Sequence, residues 1–309
     1  MRIVTFLRGD QERLGLEVGD VFIDANRACA RMFEMEGDPA PQRLADALLP
    51  ADTLAFLQAG RRALEQARKV LEFVTQYRGE AADCLVPAAS VKRLAPVPRP
   101  GKIVCVGRNY RDHVAEMKRD LPTIPVIFAK LPNTVCAHGD EVPFPRVSDQ
   151  LDYEAELAVI IGKRGRNISE AEALDFVGGY TAFNDITVRD WQHRTPQWLQ
   201  GKSFDKTGPI GPALVTADEI PDPHNLSIRL WLNDELRQDD NTQRLIFNIP
   251  YLISFISQVM TLEPGDIIAT GTPGGVGVAM EPKGFMKVGD VVRVEIERIG
   301  ILENRIVAG

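Results

Sequence analysis

The run Leu151 to Gly162, LDYEAELAVIIG, carries Asp152, Glu154 and Glu156 at alternate positions. Read as a strand, it turns these three carboxylates to one side and Tyr153, Ala155, Leu157, Val159 and Ile161 to the other. Carboxylates two residues apart on a strand stand side by side, and they raise each other's pKa unless a cation neutralises them. A cluster of oxygen donors suits a hard divalent ion such as magnesium, manganese or calcium. Asp185 follows a second apolar stretch, Phe176 to Phe183 (FVGGYTAF), and offers a third carboxylate. Taken alone, a Glu-x-Glu pair is commonly the wet face of an antiparallel sheet. The surrounding motifs are what give it weight.

In Gly107 to Met117, GRNYRDHVAEM, an apolar strand leads into a helical pattern. His113 and Glu116 stand three apart, so one helical face presents both. A carboxylate that holds an imidazole fixes its tautomer and raises its basicity, as a water-activating base requires. A short polar helix beside a linker also suits a lid. Asn184 to Gln192, NDITVRDWQ, sets Arg189 and Gln192 three apart; a guanidinium fork matches a carboxylate. Lys202, in Gly201 to Asp205 (GKSFD), would stabilise a developing enolate if it lay near a metal. Gly271 to Gly277, GTPGGVG, is no nucleotide fingerprint, because a proline interrupts it and no helix follows. Its backbone N–H groups and the Thr272 hydroxyl suit a substrate carboxylate instead. Each motif also has a plain reading as an ordinary surface turn or charged pair.

Two regions must position these groups. Residues 1–93 read as a small α+β domain: strands at Arg2 to Leu7 and Glu17 to Asp24, then helices at Gln42 to Leu49 and Ala51 to Tyr77. Leu94 to Lys102, LAPVPRPGK, is a stiff entry segment, so the division is set at 93/94. Residues 94–309 are dominated by strands between prolines and glycines, near 103–107, 126–130, 156–161, 178–184, 213–216, 227–233, 266–270 and 291–296. Helices are expected at Tyr110 to Met117, Ser169 to Leu174 and Ile249 to Met260. That pattern predicts a β-rich α+β roll or sandwich and not a doubly wound sheet.

The chain has 309 residues and a formal net charge of -7, which argues against a general nucleic-acid binder. No apolar run reaches the ~20 residues of a membrane span, and the first residues lack a signal-peptide core. Cys29, Cys84, Cys105 and Cys136 form no CxxC pair and read as thiols of a reducing cytosol. A cytoplasmic protein with no membrane or nucleic-acid partner is expected.

The segments KIVCVGRNYRDHVAEM, PVIFAKLPNTV, LDYEAELAVIIG, GGYTAFNDITVRDWQ, QWLQGKSFDKTGPIGP, PGDIIATGTPGGVG and VGDVVRVEIERIG occur in this order between about Pro96 and Val307. Together they resemble the fumarylacetoacetate hydrolase family, in its acylpyruvase-like branch with a short N-terminal domain. The resemblance implies that family's mixed β-roll, a homodimer, and one Mg²⁺ or Mn²⁺ held by Glu154, Glu156 and Asp185. It implies that His113 and Glu116 activate water on a mobile lid and that Lys202 stabilises enolate charge. Arg108, Arg189, Gln192 and Thr272 match positions lining the substrate pocket. The expected activity is hydrolysis of a C–C bond in acylpyruvates or related 2,4-dioxo acids through a pyruvate enolate. The same enolate also serves oxaloacetate decarboxylation and keto–enol or hydroxymuconate-type isomerisation, which stand as alternatives. A non-catalytic 2-oxo acid binder is the reading from another class.

Overall fold

The computed structural model describes residues 1–309. A 12-stranded sheet runs through the molecule. From one edge its order is Leu85–Pro87, Val21–Asp24, Gln11–Val18, Arg2–Arg8, Gly208–Thr216, Val177–Asn184, Ala155–Ile161, Ile267–Ala269, Ile103–Gly107 and Val126–Lys130. Two short strands, Arg93–Leu94 and Val135–Ala137, join it on the side. A second, five-stranded sheet contains Ser227–Leu232, Val291–Ile296 and Gly300–Ala308. The fold is the mixed, β-rich α+β architecture expected, with a small N-terminal domain.

The two faces of the large sheet bury different partners. Leu157, Val159 and Ile161 pack with Ile228, Leu230, Val294 and Leu302 of the five-stranded sheet and with Ile253 and Ile256 of the helix Ile249–Val259. Ala158 and Ile160 face the other way, among Leu57, Ala67 and Val70 of the N-terminal helices. Every residue of Ala155–Ile161 is therefore buried, and the one-sided alternation expected of a half-exposed strand does not apply. The expected strand through 151–162 is also broken. Leu151–Asp152 pairs with Thr187–Val188, and Ala155–Ile161 starts afresh beyond Tyr153 and Glu154.

Other expectations shift for local reasons. The single helix expected over Ala51 to Tyr77 is two, Thr53–Ala59 and Arg61–Gln76, parted at Gly60. The strand expected over Glu17 to Asp24 is the hairpin of Gln11–Val18 and Val21–Asp24, turning at Gly19 and Asp20. The helix Ala25–Met35 was not anticipated; Asp24 caps it by accepting from the Arg27 N–H. Ser169 spends its hydroxyl on Glu172 at 2.6 Å, and the expected helix over Ser169 to Leu174 shrinks to a single 3₁₀ turn, Ala173–Phe176. No helix is long and apolar enough to cross a membrane.

Glu17 ties the first hairpin down, taking Arg2 at 2.8 Å and also Arg93. Burial pushes its carboxyl up, but the two guanidiniums outweigh that and hold it below its ordinary 4.5. A depressed carboxyl contributes stability above its unfolded pKa and loses it as pH falls through the folded value. Glu17→Gln is expected to cost about 2 kcal/mol at pH 7 in urea unfolding. The gap to the wild type should close as the pH falls below 4.5; a gap that stays constant there would contradict the ion-pair account.

Candidate active site

Antiparallel pairing of Ala155–Ile161 with Val177–Asn184 sets Ala155 opposite Asn184 and Glu156 opposite Phe183. The chain leaves both strands at this same end. There the Asp185 N–H donates to the Glu154 carbonyl at 2.9 Å, and the Asn184 side chain accepts from the Glu154 N–H at 3.0 Å. These bonds replace the missing ladder and fold Glu154, Glu156 and Asp185 together. One carboxylate oxygen from each lies within 4.8 Å of the others, and all three side chains are buried.

Cations surround two of the three. Lys202 Nζ donates to Glu154 Oε2 and Asp185 Oδ2, each at 2.7 Å. Arg189 Nη1 meets Glu154 Oε1 at 2.8 Å. Lys130 Nζ donates to Asp185 Oδ1 at 2.8 Å and to the Ile186 carbonyl. Glu156 receives only the Gly271 N–H, at 2.9 Å. Burial raises the Glu154 pKa, but Lys202, Arg189 and His113 more than reverse this, so it is held well below the usual range. Glu156 goes the other way: burial, then Asp185 and Glu154, push it up. The protein's own cations thus leave one carboxylate uncompensated inside an all-oxygen donor set. A hard divalent cation fits that deficit and that chemistry.

Lys202 sits on the short turn Leu199–Lys202, which rests on the turn Arg189–Gln192. Gly201 makes this approach possible, since a Cβ there would collide with the Gln192 backbone. Burial opposes the Lys202 charge, but Asp185 and Glu154 outweigh it and hold its pKa above the ordinary value. An ammonium has three N–H donors. Two are taken, so one remains for a ligand. Arg189 gives Nε to Asp152 Oδ2 at 2.8 Å and Nη1 to Gln192 Oε1 at 3.1 Å, while its buried Nη2 has no partner. The Thr272 oxygen accepts from Gln238 at 2.9 Å, leaving its own hydrogen to donate.

The helix Arg111–Glu116 covers this centre. His113 Nδ1 and Glu116 Oε1 are 2.8 Å apart, which leaves Nε2 for the cleft. Glu116 Oε2 also accepts the Gly275 N–H at 2.8 Å, docking the helix on the Gly271 to Gly277 loop. One small cleft is lined by Arg108, His113, Glu154, Glu156, Arg189, Gln192, Lys202 and Thr272. Asp185 lies beneath it. All ten residues singled out in the sequence therefore converge.

Several participants were missed. Asp152 was grouped with the two glutamates, but its oxygens are filled by Arg189 and by the Gly277 and Val278 N–H groups, so it orients Arg189. Lys130 is fully buried against Asp185; a lone lysine closing the apolar strand VIFAK was its available signal. Arg119, His193 and Trp198 also line the cleft, and no spacing pointed to them.

Residues 102–307 match the family model described as fumarylacetoacetate (FAA) hydrolase C-terminal. The chain is 41% identical to oxaloacetate tautomerase fahd2, mitochondrial, of Xenopus laevis, covering 99% of this chain and 90% of that protein. It is 42% identical to oxaloacetate tautomerase YisK of Bacillus subtilis, with 95% of each covered. Among solved structures it resembles fumarylacetoacetate hydrolase (EaFAH) from Exiguobacterium antarcticum (TM-score 0.76, 32% identity, 100% of each chain covered). It also resembles maleylpyruvate hydrolase from Sphingobium sp. SYK-6, solved with manganese(II) and pyruvate (TM-score 0.75, 31% identity, 100% of each chain). On the strength of this cover and of the buried acidic centre, the chain belongs to the fumarylacetoacetate hydrolase family.

Proposed function

We propose that this protein is a divalent-metal-dependent oxaloacetate tautomerase, interconverting the enol and keto forms of a small 2-oxo acid. The observation that carries the reading is the pairing of a buried Glu154, Glu156 and Asp185 cluster with a cationic Lys202 and an imidazole above one cleft. The choice of tautomerisation over the expected C–C hydrolysis rests on the relatives that share 41% and 42% identity with the chain, both oxaloacetate tautomerases. Glu154, Glu156 and Asp185 would hold Mg²⁺ or Mn²⁺. Such an ion supplies the electrophile that makes the C3 hydrogens of a 2-oxo acid acidic.

The side chains divide the remaining work. The spare N–H of Lys202 donates to the C2 oxygen and favours its enolate form. The unpartnered Arg189 Nη2 and the Thr272 hydroxyl bind the C1 carboxylate. His113, oriented by Glu116, moves a proton at C3 through Nε2. The helix that carries His113 also excludes water from this exchange. Gln192 holds Arg189 in place. The reaction then needs no attacking water and breaks no carbon–carbon bond.

The test follows decay of enol absorbance in fresh oxaloacetate with Mg²⁺, with Mn²⁺ and with EDTA. Metal-dependent acceleration that EDTA returns to the uncatalysed rate is expected; no acceleration under any condition would refute the reading. Chelation should also lower the unfolding midpoint, on the order of several degrees, because the ion binds only the folded acidic cluster. A midpoint indifferent to EDTA would argue against the metal. The His113–Glu116 pair and the likeness to maleylpyruvate hydrolase favour one second reading, hydrolysis of an acylpyruvate. Pyruvate release from acetylpyruvate, measured alongside, reads it directly.

A further inference from the structure

The cleft holds more positive charge than a single carboxylate requires. Arg108, Arg119, Arg189 and Lys202 line it, against two lining carboxylates, Glu154 and Glu156. Arg189 and Lys202 are engaged with Asp152, Glu154 and Asp185. Arg108 and Arg119 meet no carboxylate, and neither lies on the acidic cluster.

Both are aimed by the backbone. Arg108 has φ +59°, in the left-handed region that residues other than glycine rarely adopt. Its guanidinium lies over Trp198, 5.5 Å from the ring centroid. Trp198 in turn packs so tightly on Gly107 that a Cβ there would strike its ring. The position of Arg108 is thus set by strain and an aromatic platform, with no acid to neutralise it. Arg119 ends the lid. Its N–H donates to the Val114 carbonyl at 3.1 Å and the Lys118 N–H to the Ala115 carbonyl at 3.0 Å. With Lys118 at φ +52°, this is a Schellman turn, usually built on glycine. The turn folds the chain back and brings Arg119 to the cleft that holds His113. His193 lines the same cleft as these four cations. Burial first, then Arg189, Arg119, Lys202 and Arg108, push its pKa below the ordinary value.

We propose that Arg108 and Arg119 form a second carboxylate site, which binds the C4 carboxylate of an oxo-diacid and makes the enzyme selective for diacids over neutral-tailed 2-oxo acids. The proposal rests on the oxo-acid reading of the cleft and deepens it. One carboxylate is held at the deep end by Arg189 and Thr272, the other at the mouth. Because Arg119 belongs to the lid and Arg108 to the wall, a diacid bridges the two and draws the lid shut. A tail ending in a methyl group offers no such bridge.

The test uses a matched pair of ligands, oxaloacetate and 2-oxobutyrate, in which a methyl group replaces the C4 carboxylate. Dissociation constants are measured by calorimetry on the Mg²⁺-loaded full chain, for the wild type, R119Q, R119K and R108Q/R119Q. The wild type should prefer oxaloacetate. The ratio of affinities should fall about tenfold in R119Q and further in the double variant, and R119K should recover part of it. An unchanged ratio, including one in which both ligands weaken together, overturns the proposal. The unfolding midpoint of each variant checks that the fold survives; Arg119 is exposed at the surface, and R119Q alone suffices should the double variant unfold. Turnover is scored separately. If the arginine-dependent preference is present but enol–keto exchange is not accelerated, the tautomerase reading falls and the second carboxylate site stands.

Discussion

Under the tautomerase reading, Lys202→Met is expected to lower kcat for enol decay by about 10²–10³-fold while leaving divalent-metal affinity undiminished. The two halves of this result have one origin. In the wild type the ammonium is 2.7 Å from both Glu154 and Asp185 and is the only cation that touches two members of the cluster. Methionine keeps the stem's volume but removes the charge. The carboxylates then repel each other more strongly, and a divalent ion relieves more repulsion when it binds. Metal affinity should therefore hold or rise. The substrate, in contrast, loses the one N–H that is free to meet its C2 oxygen. The metal-free variant should be less stable than metal-free wild type, because it leaves buried charge uncompensated, and added Mg²⁺ should restore it. The readouts are kcat for enol decay, metal titration by calorimetry and thermal unfolding with and without EDTA. A variant that loses metal binding and activity together would show that Lys202 acts by building the metal site and not on the substrate.

The sequence made this centre legible because its information is local. Alternation placed Glu154 and Glu156 near one another without any knowledge of the fold, and a three-residue interval did the same for His113 with Glu116 and for Arg189 with Gln192. Asp185 required only that a second strand end at the same place, and the antiparallel pairing of the two strands supplies that. What the alternation did not reveal is that both faces are covered. The N-terminal helices that bury Ala158 and Ile160 come from residues more than eighty positions away, and the glutamate pair is buried in a cleft whose other walls, among them His113, Phe128, Arg189, Trp198 and Lys202, come from separate segments of the chain. The same limit explains Asp152. Its place in the alternation matched its neighbours, yet the chain breaks at Tyr153 and Glu154, so it faces Arg189 and the Gly277 and Val278 amides. Lys130 escaped because the pattern VIFAK reads as an ordinary strand end, whereas its burial depends on Asp185, which is distant in sequence. Element boundaries departed from the pattern in another way. Gly60 and the Gly19–Asp20 turn each split an element whose apolar pattern continued across them. The reaction itself was the least legible part, since hydrolase, decarboxylase and tautomerase all use one enolate.

His113 is where they part, and His113→Asn is the sharper substitution than alanine. Asparagine can still donate to Glu116 across the 2.8 Å now spanned by Nδ1, so the lid keeps its internal contact and its bond from Gly275 to Glu116. What it cannot do is carry a proton at neutral pH. Under the tautomerase reading, kcat for enol decay should fall by about 10²–10⁴-fold with KM for oxaloacetate nearly unaltered. Glu116→Gln should differ. It weakens the orientation of the imidazole and also the docking of the lid, because Glu116 Oε2 accepts the Gly275 N–H. Its kcat and KM should therefore both change. The split between the two variants is the diagnostic, since damage confined to packing would move them alike. A wild-type rate of enol decay in His113→Asn, together with lost pyruvate release from acetylpyruvate, would make the imidazole an activator of water. The hydrolase would then be the better description of the site, and C3 would have to exchange its proton with a group other than His113.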